Sequence, residues 1–323
     1  MKKNKESKAK SNADNNKKKK NWPTFVLAFV FIAGLGLLLY PTVSDWWNSF
    51  HQSRAISNYA EKVANIDEEE YDRILSSAYE YNDRLLKKQN QYVMSESEHK
   101  DYESQLNVAG DGIIGYIEID KIKVSLPIYH GTSDAVLQVA VGHLDWTSLP
   151  IGGEGSHCVL SGHRGLPSAK LFTNLDKLEV GDTFVMRVLD EIFTYEVDQI
   201  LIVLPQDTDA LRIVKGMDYC TLVTCTPYGI NTHRLLVRGH RVENAETVRD
   251  IKVTSDVTRI DPLIIASIIA APTLLFLFFF VVGNDKRRSK RKKAEESSEE
   301  MLRKLSELGK INEEKDKKDK KDK

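Results

Sequence analysis

A cysteine, a histidine and an arginine stand in settings that suit nucleophilic catalysis. Cys225 ends the apolar stretch Thr221-Leu-Val-Thr-Cys225; Pro227 and Gly229 then turn the chain, and a second strand carries Arg234 nine residues later. A thiol at a strand end beside a turn is placed to be exposed, and a hairpin closed by Pro227-Tyr-Gly-Ile-Asn231 makes Cys225 and Arg234 near cross-strand neighbours. His163, in Ser161-Gly-His-Arg-Gly165, ends another apolar strand where Gly165 and Pro167 open a loop. A cysteine attacks as its thiolate, yet with an ordinary pKa near ~8.5 it is mostly protonated at neutral pH. A nearby imidazole and guanidinium help supply the reactive form. The imidazole can then protonate a leaving amine, and the guanidinium can hold an oxyanion. Together the three read as a cysteine acyl-transfer site. Taken singly, a strand cysteine also fits core packing and a lone histidine a structural role, so residue chemistry alone leaves both readings open.

The elements that must position these residues follow from the pattern around them. Strands are expected at Ile113–Ile119, Lys123–Tyr129, Ser156–Ser161, Thr183–Val188, Ile192–Val197, Gln199–Leu204, Tyr219–Thr226 and Thr232–Gly239. Short helices are expected at Ser133–Val139 and Ala169–Leu175. About eight short strands with turn residues between them imply a mainly β fold, a single closed barrel. Ahead of it, residues 44–88 read as helical: Asp67 precedes Glu68, Glu69 and Glu70, and Tyr71, Ile74, Leu75, Ala78, Tyr81 and Leu85 recur at helical spacing. Residues 89–110 are polar and without periodicity, which reads as a loop.

Two uncharged apolar runs bracket this region, Thr24–Tyr40 and Leu263–Gly283. A membrane span takes roughly 17–25 such residues. No small-x-small cleavage site follows the first run, so it reads as an uncleaved anchor. Lys17–Lys20 before the first run and Lys286–Lys293 after the second place both termini in the cytoplasm and residues 41–262 outside the cell membrane. The expected layout is a basic tail at 1–21, a transmembrane helix at 22–40, an external helical, lid-like region at 41–110, the barrel at 111–245, a linker at 246–262, a second transmembrane helix at 263–283 and a charged cytoplasmic tail at 284–323. The 46 basic and 47 acidic residues nearly cancel. The basic excess sits at the termini, so nothing points to nucleic acid. The scattered His130, His143, His157, His233 and His240 form no metal-ligand cluster in sequence, and no cofactor is expected; His143 reads as packing or surface rather than groove.

The stretches Thr224-Cys-Thr-Pro-Tyr-Gly-Ile-Asn-Thr-His-Arg-Leu-Leu-Val-Arg-Gly239 and Leu160-Ser-Gly-His-Arg-Gly-Leu-Pro-Ser-Ala-Lys-Leu-Phe172 resemble the signature of the sortase family, in its class C, pilin-polymerising branch. The resemblance covers about residues 110–241, and two flanking spans also suit that branch. It implies an eight-stranded barrel in which Cys225 attacks the Thr carbonyl of a Leu-Pro-x-Thr-Gly-like sorting signal. It implies His163 as acid and then base, Arg234 as oxyanion or substrate stabiliser, no metal, and a pilin lysine amine as the acceptor. The partners it implies are pilins or surface proteins carrying such signals, and the cytoplasmic membrane.

Two further features bear on that resemblance. Members of the branch usually carry an Asp-Pro-aromatic lid motif, whereas residues 84–110 hold no Asp-Pro; the one in the chain is Asp261-Pro262. The expectation is a missing lid anchor, with Cys225 more accessible or covered differently, through Tyr92-Val-Met94. Secondly, Cys158 and Cys220 each lie five residues before His163 and Cys225. In the sortase barrel those strands are parallel neighbours, so the pair is expected side by side in the barrel interior, as two buried thiols in preference to a disulfide. The loop Pro205–Asp209 is expected to border the signal groove. Other readings are a sortase that anchors surface proteins to peptidoglycan, a secreted cysteine protease, and a non-catalytic scaffold.

Overall fold

The computed structural model describes residues 22–244 and short helical stretches between 272 and 306. Two compact units emerge, one of residues 1–38 and 266–323, the other of residues 39–265. Helix α1 (Trp22–Ala64) contributes to both. Among the described residues it is the one helix long and apolar enough to cross a membrane, with a mean hydropathy of 2.3 in its apolar window and none of that window buried. Most of the second apolar run, 263–283, and of the two basic clusters lies outside the described residues.

Helix α2 (Glu68–Lys87) starts where the sequence predicts: the Asp67 carboxylate accepts from the Glu70 amide at 2.8 Å, with three glutamates in the first turn. Ala78, Tyr81 and Leu85 form its buried stripe. The expected loop at 89–110 is corrected in part, because it contains helix α3 (Glu96–Ser104). A reciprocal capping box between Ser95 and Glu98 starts that helix. Only Tyr102 of α3 is buried, so no apolar repeat was there to reveal it. Its hydroxyl receives the Gly131 amide at 2.9 Å and lies 3.0 Å from His143 Nδ1, pinning α3 to the barrel.

Eight strands form a closed barrel: β1 (Ile113–Ile119), β2 (Val124–His130), β3 (Val141–His143), β4 (Ser156–Ser161), β5 (Thr183–Val188), β6 (Glu191–Val203), β7 (Asp218–Thr226) and β8 (His233–Val242), with the short helix α4 (Asp134–Leu137) before β3. Neighbours follow the order β1-β2-β3-β4-β7-β8-β6-β5. The expected mainly β barrel is present, with two differences in its strands. β3 is too short to carry a period-2 pattern. The two strands expected at 192–197 and 199–204 are one, with a bulge between Val197 and Gln199. The bulge takes Asp198 out of the ladder, and its two carboxylate oxygens each accept from Arg238 at 3.0 Å. The helix expected at Ala169–Leu175 is absent; Leu171 adopts φ +38°, which breaks helical continuation, and a 3-10 turn forms later at Leu175–Lys177.

The barrel interior is filled by residues such as Ile117, Phe172, Phe184 and Tyr195, each under 2% exposed. Cys158 and Cys220 are register partners on the parallel pair β4 and β7, both buried and both free thiols, on the inward face with Leu160 and Leu222. Burial pushes the Cys220 thiol well above its ordinary pKa, and its sulfur packs 3.6 Å from that of Met186.

Candidate active site

β7 lies between β4, its parallel neighbour, and β8, its antiparallel one. Cys225 faces Arg234 directly across the β7–β8 pair. On the other side Ser161 pairs with Val223, and the alignment continues past the end of β4: the Gly162 amide donates to the Val223 carbonyl at 3.0 Å, and Thr224 Oγ1 donates to the Gly162 carbonyl at 2.7 Å. The next residue, His163, therefore comes level with Cys225. Cys225 and Arg234 thus pair across β7 and β8, His163 follows the end of β4 by two residues on the other side of β7, and all three are half-buried.

Strand alternation decides which side of the sheet the thiol and guanidinium face. Leu222, Leu235 and Val237 belong to the barrel core. Their neighbours of opposite parity, Val159, Val223 and Leu236, join Leu211 in a separate apolar cluster on the outer face, with Leu144, Trp146, Leu201, Val203 and Ala210 packed against it. Cys225 shares parity with Val223, and Arg234 with Leu236. The thiol and guanidinium thus stand at one end of an apolar floor outside the barrel, opposite in facing to Cys158 and Cys220.

Arg164 is a further residue of the site that its sequence setting does not reveal. Its guanidinium donates to Thr226 Oγ1 at 3.2 Å and is ion-paired with Asp176, and the side chain is only 9% exposed. The residue after His163 is thereby tied to the residue after Cys225. Nothing in a surface-type Ser-Gly-His-Arg-Gly string announces a buried arginine. Glycine is required at 162 for a related reason: a Cβ there would meet the Phe172 ring at 2.7 Å.

The loop between α2 and α3 lies against the same face. The Tyr92 ring is 4.9 Å from that of Trp146, and its hydroxyl donates to the Thr208 carbonyl at 3.4 Å. Gln91 Oε1 accepts from the Ile213 amide at 3.4 Å. Tyr92 thus bridges the β3–β4 and β6–β7 loops, and Thr208 belongs to the Pro205–Asp209 segment. His143 is a core residue, fully buried, with Nε2 2.8 Å from the Ser148 carbonyl. Among the described residues no group of three or more metal-binding side chains converges.

His157, on the outer face of β4, couples the β6–β7 loop to β7. Its Nδ1 lies 2.8 Å from the Arg212 carbonyl and its Nε2 2.7 Å from Thr221 Oγ1. A carbonyl only accepts, so Nδ1 carries the proton and Nε2 accepts from the threonine. Burial lowers its pKa from 6.5 to about 4. The unfolded chain takes up this proton at a higher pH than the folded one, so the stability is whole above 6.5 and is lost as pH falls toward 4. The loss expected from this residue is on the order of 3 kcal/mol. Denaturant unfolding at stepped pH checks it: His157→Gln should flatten this part of the slope, and an unchanged slope contradicts the assignment.

A family model described as Sortase domain matches residues 117–242. The chain is similar to the crystal structure of sortase C1 from Streptococcus agalactiae, at 55% identity and a TM-score of 0.58, covering 59% of this chain and 100% of that one. It is similar to Clostridium perfringens sortase C, solved with the C-terminal cell wall sorting motif, at 44% identity and a TM-score of 0.53, covering 59% of this chain and 99% of that one. Among curated proteins it is 34% identical over 131 residues to Sortase D of Bacillus subtilis (strain 168), covering 40% of this chain and 63% of that one, just under two thirds of the relative's length.

Proposed function

Because the chain belongs to the sortase family of cysteine transpeptidases, we propose that Cys225, His163 and Arg234 are its catalytic residues and that it joins pilin subunits into covalent polymers. The Cys225 sulfur attacks the Thr carbonyl of a Leu-Pro-x-Thr-Gly-like signal. Arg234 donates to the oxygen that gains negative charge, His163 gives a proton to the departing glycine amine, and a thioester remains. A lysine amine of the next subunit then attacks that carbonyl, His163 takes a proton from it, and the thiolate leaves as an isopeptide bond forms. The apolar cluster of Val159, Val223 and Leu236, itself buried, backs the outer face of the strands that carry Cys225 and Arg234. The observation that carries the reading is the pairing of thiol and guanidinium across β7 and β8, with the histidine just past the end of β4 on the other side of β7.

With no Asp-Pro anchor before the barrel, the Tyr92 loop serves as the cover over the outer-face cluster, and Cys225 keeps partial exposure. The apolar part of α1 anchors the enzyme in the cytoplasmic membrane. With the run at 263–283 as a second span, the catalytic body lies outside the cell and both termini inside.

Mixing the enzyme with a pilin subunit tests the assignment by its products. A ladder of covalent multimers joined through lysine supports it. Transfer only to a peptidoglycan-precursor amine supports the surface-protein-anchoring alternative, and hydrolysed acid alone supports a protease.

Arg164 acts as a positioning residue in this scheme. Arg164→Ala should lower kcat by roughly 10- to 100-fold with little change in KM, because a small misplacement of reacting groups is costly. Arg164→Lys, able to reach one partner, should fall between. A change in KM alone would place Arg164 in substrate binding instead.

A further inference from the structure

Past its apolar run, helix α1 has two faces of opposite character. One is bonded to the catalytic body. Asp45 Oδ1 accepts from the Lys170 amide at 2.8 Å, Asn48 Nδ2 donates to the Ser168 carbonyl at 2.8 Å, and Gln52 Nε2 donates to the Val139 carbonyl at 2.6 Å. Ile56, Tyr59 and Val63 continue that face and are buried.

The other face, at helical i, i+3, i+4, i+7 spacing, is Val43, Trp46, Trp47 and Phe50, exposed by 57, 49, 57 and 54%. Further along, the same stripe becomes Arg54, Ser57 and Glu61, all exposed. A contiguous stripe of two tryptophans, a phenylalanine and a valine facing outward marks an interaction surface. Its abrupt polar end says how far that surface reaches.

The residue types and the position in the chain identify the occupant. Tryptophan is enriched where a membrane span meets water, since its ring is apolar and its N–H polar. At 1.5 Å per residue, the hydrocarbon core of ~30 Å takes about 20 residues, and the headgroup layer adds roughly 5–8 Å on each side. Counting from Thr24, the hydrocarbon ends near Val43, so Trp46 and Trp47 fall in the headgroup layer and Phe50 about 10 Å above the hydrocarbon, just past that layer in an upright helix and within it once the helix tilts. Arg54 then stands in water.

We propose that Val43, Trp46, Trp47 and Phe50 seat the catalytic body on the headgroup layer of a phospholipid bilayer. Asp45 and Asn48 thereby hold the loop that follows His163 at the membrane surface. This rests on α1 being a membrane anchor. It makes the enzyme one that processes substrates held in the same bilayer in preference to free ones.

Tryptophan emission of the full chain in phosphatidylcholine–phosphatidylglycerol nanodiscs tests the seating. Lipids carrying a quencher near the glycerol should quench the emission that Trp46→Phe/Trp47→Phe removes at least ~twofold more than lipids quenched at the chain end, as headgroup-level residues require. Equal or absent quenching overturns the proposal. So does shielding of the stripe by a second copy or another protein, seen as crosslinking through residue 50 after Phe50→Cys in a Cys225→Ala background. A second measurement reads the consequence. Trp46→Ser/Trp47→Ser/Phe50→Ser should slow processing of a signal anchored in the same nanodisc by about tenfold, the expected loss when effective concentration falls, and leave a soluble signal peptide unaffected. Equal loss on both substrates overturns it. If the parent chain turns over no signal peptide, the transpeptidase reading fails, and the quenching result still decides the seating.

Discussion

Cys225→Ala abolishes signal-peptide cleavage, lowering turnover by at least ~10⁴-fold, because the covalent route disappears with its nucleophile. The same substitution leaves folding intact. Cys225 is half-buried on the outer face of β7, apart from the packed interior, so removing its sulfur opens no core cavity. Cys220→Ala has the reverse profile. That side chain is 0% exposed inside the barrel, and its loss lowers the melting temperature while the protein that remains folded still turns over. Fluorogenic peptide cleavage and thermal unfolding on both variants read the contrast. Turnover surviving Cys225→Ala would end the mechanism.

Arg234→Ala is the second large effect, roughly 10²–10³-fold in kcat with KM little changed, as for the loss of an oxyanion donor. Arg234 sits opposite Cys225, and its Nη1 donates to the carbonyls of His233 at 3.1 Å and Asn231 at 3.3 Å. These bonds fix one arm of the fork to the hairpin turn, so the other arm has a defined place for a substrate oxygen. Arg234→Lys recovers little, since an ammonium cannot hold the turn and reach the oxygen through one planar group. Steady-state kinetics with a signal peptide separate the outcomes. A rise in KM at unchanged kcat would make Arg234 a ground-state binding residue only.

The barrel and the site were legible in the sequence to different depths. The hairpin carrying Cys225 and Arg234 was readable because its register follows from one local turn. That Cys158 and Cys220 lie side by side was an expectation carried by family resemblance, since the pairing of β4 with β7 joins segments about sixty residues apart. β3 escaped because three residues carry no alternation, and α3 because one tyrosine, Tyr102, supplies all its buried contact. The single strand β6 looked like two because the charged Asp198 interrupts its apolar pattern, where Arg238 neutralises it from the neighbouring strand. Arg164 stayed hidden for a similar reason. An arginine in a glycine-rich loop reads as solvent-exposed, and only the folded arrangement of Thr226 and Asp176 around it shows otherwise.

Trapping the acyl-enzyme confronts the mechanism at its first covalent step. The full chain is mixed with a Leu-Pro-x-Thr-Gly peptide, stopped in acid within the first turnover, digested and weighed by mass spectrometry. The fragment bearing Cys225 should gain the mass of the peptide up to its threonine, less one water, and lose it on treatment with hydroxylamine. Cleaved peptide with no adduct on that fragment, or an adduct on Cys158 or Cys220 in its place, would contradict the account.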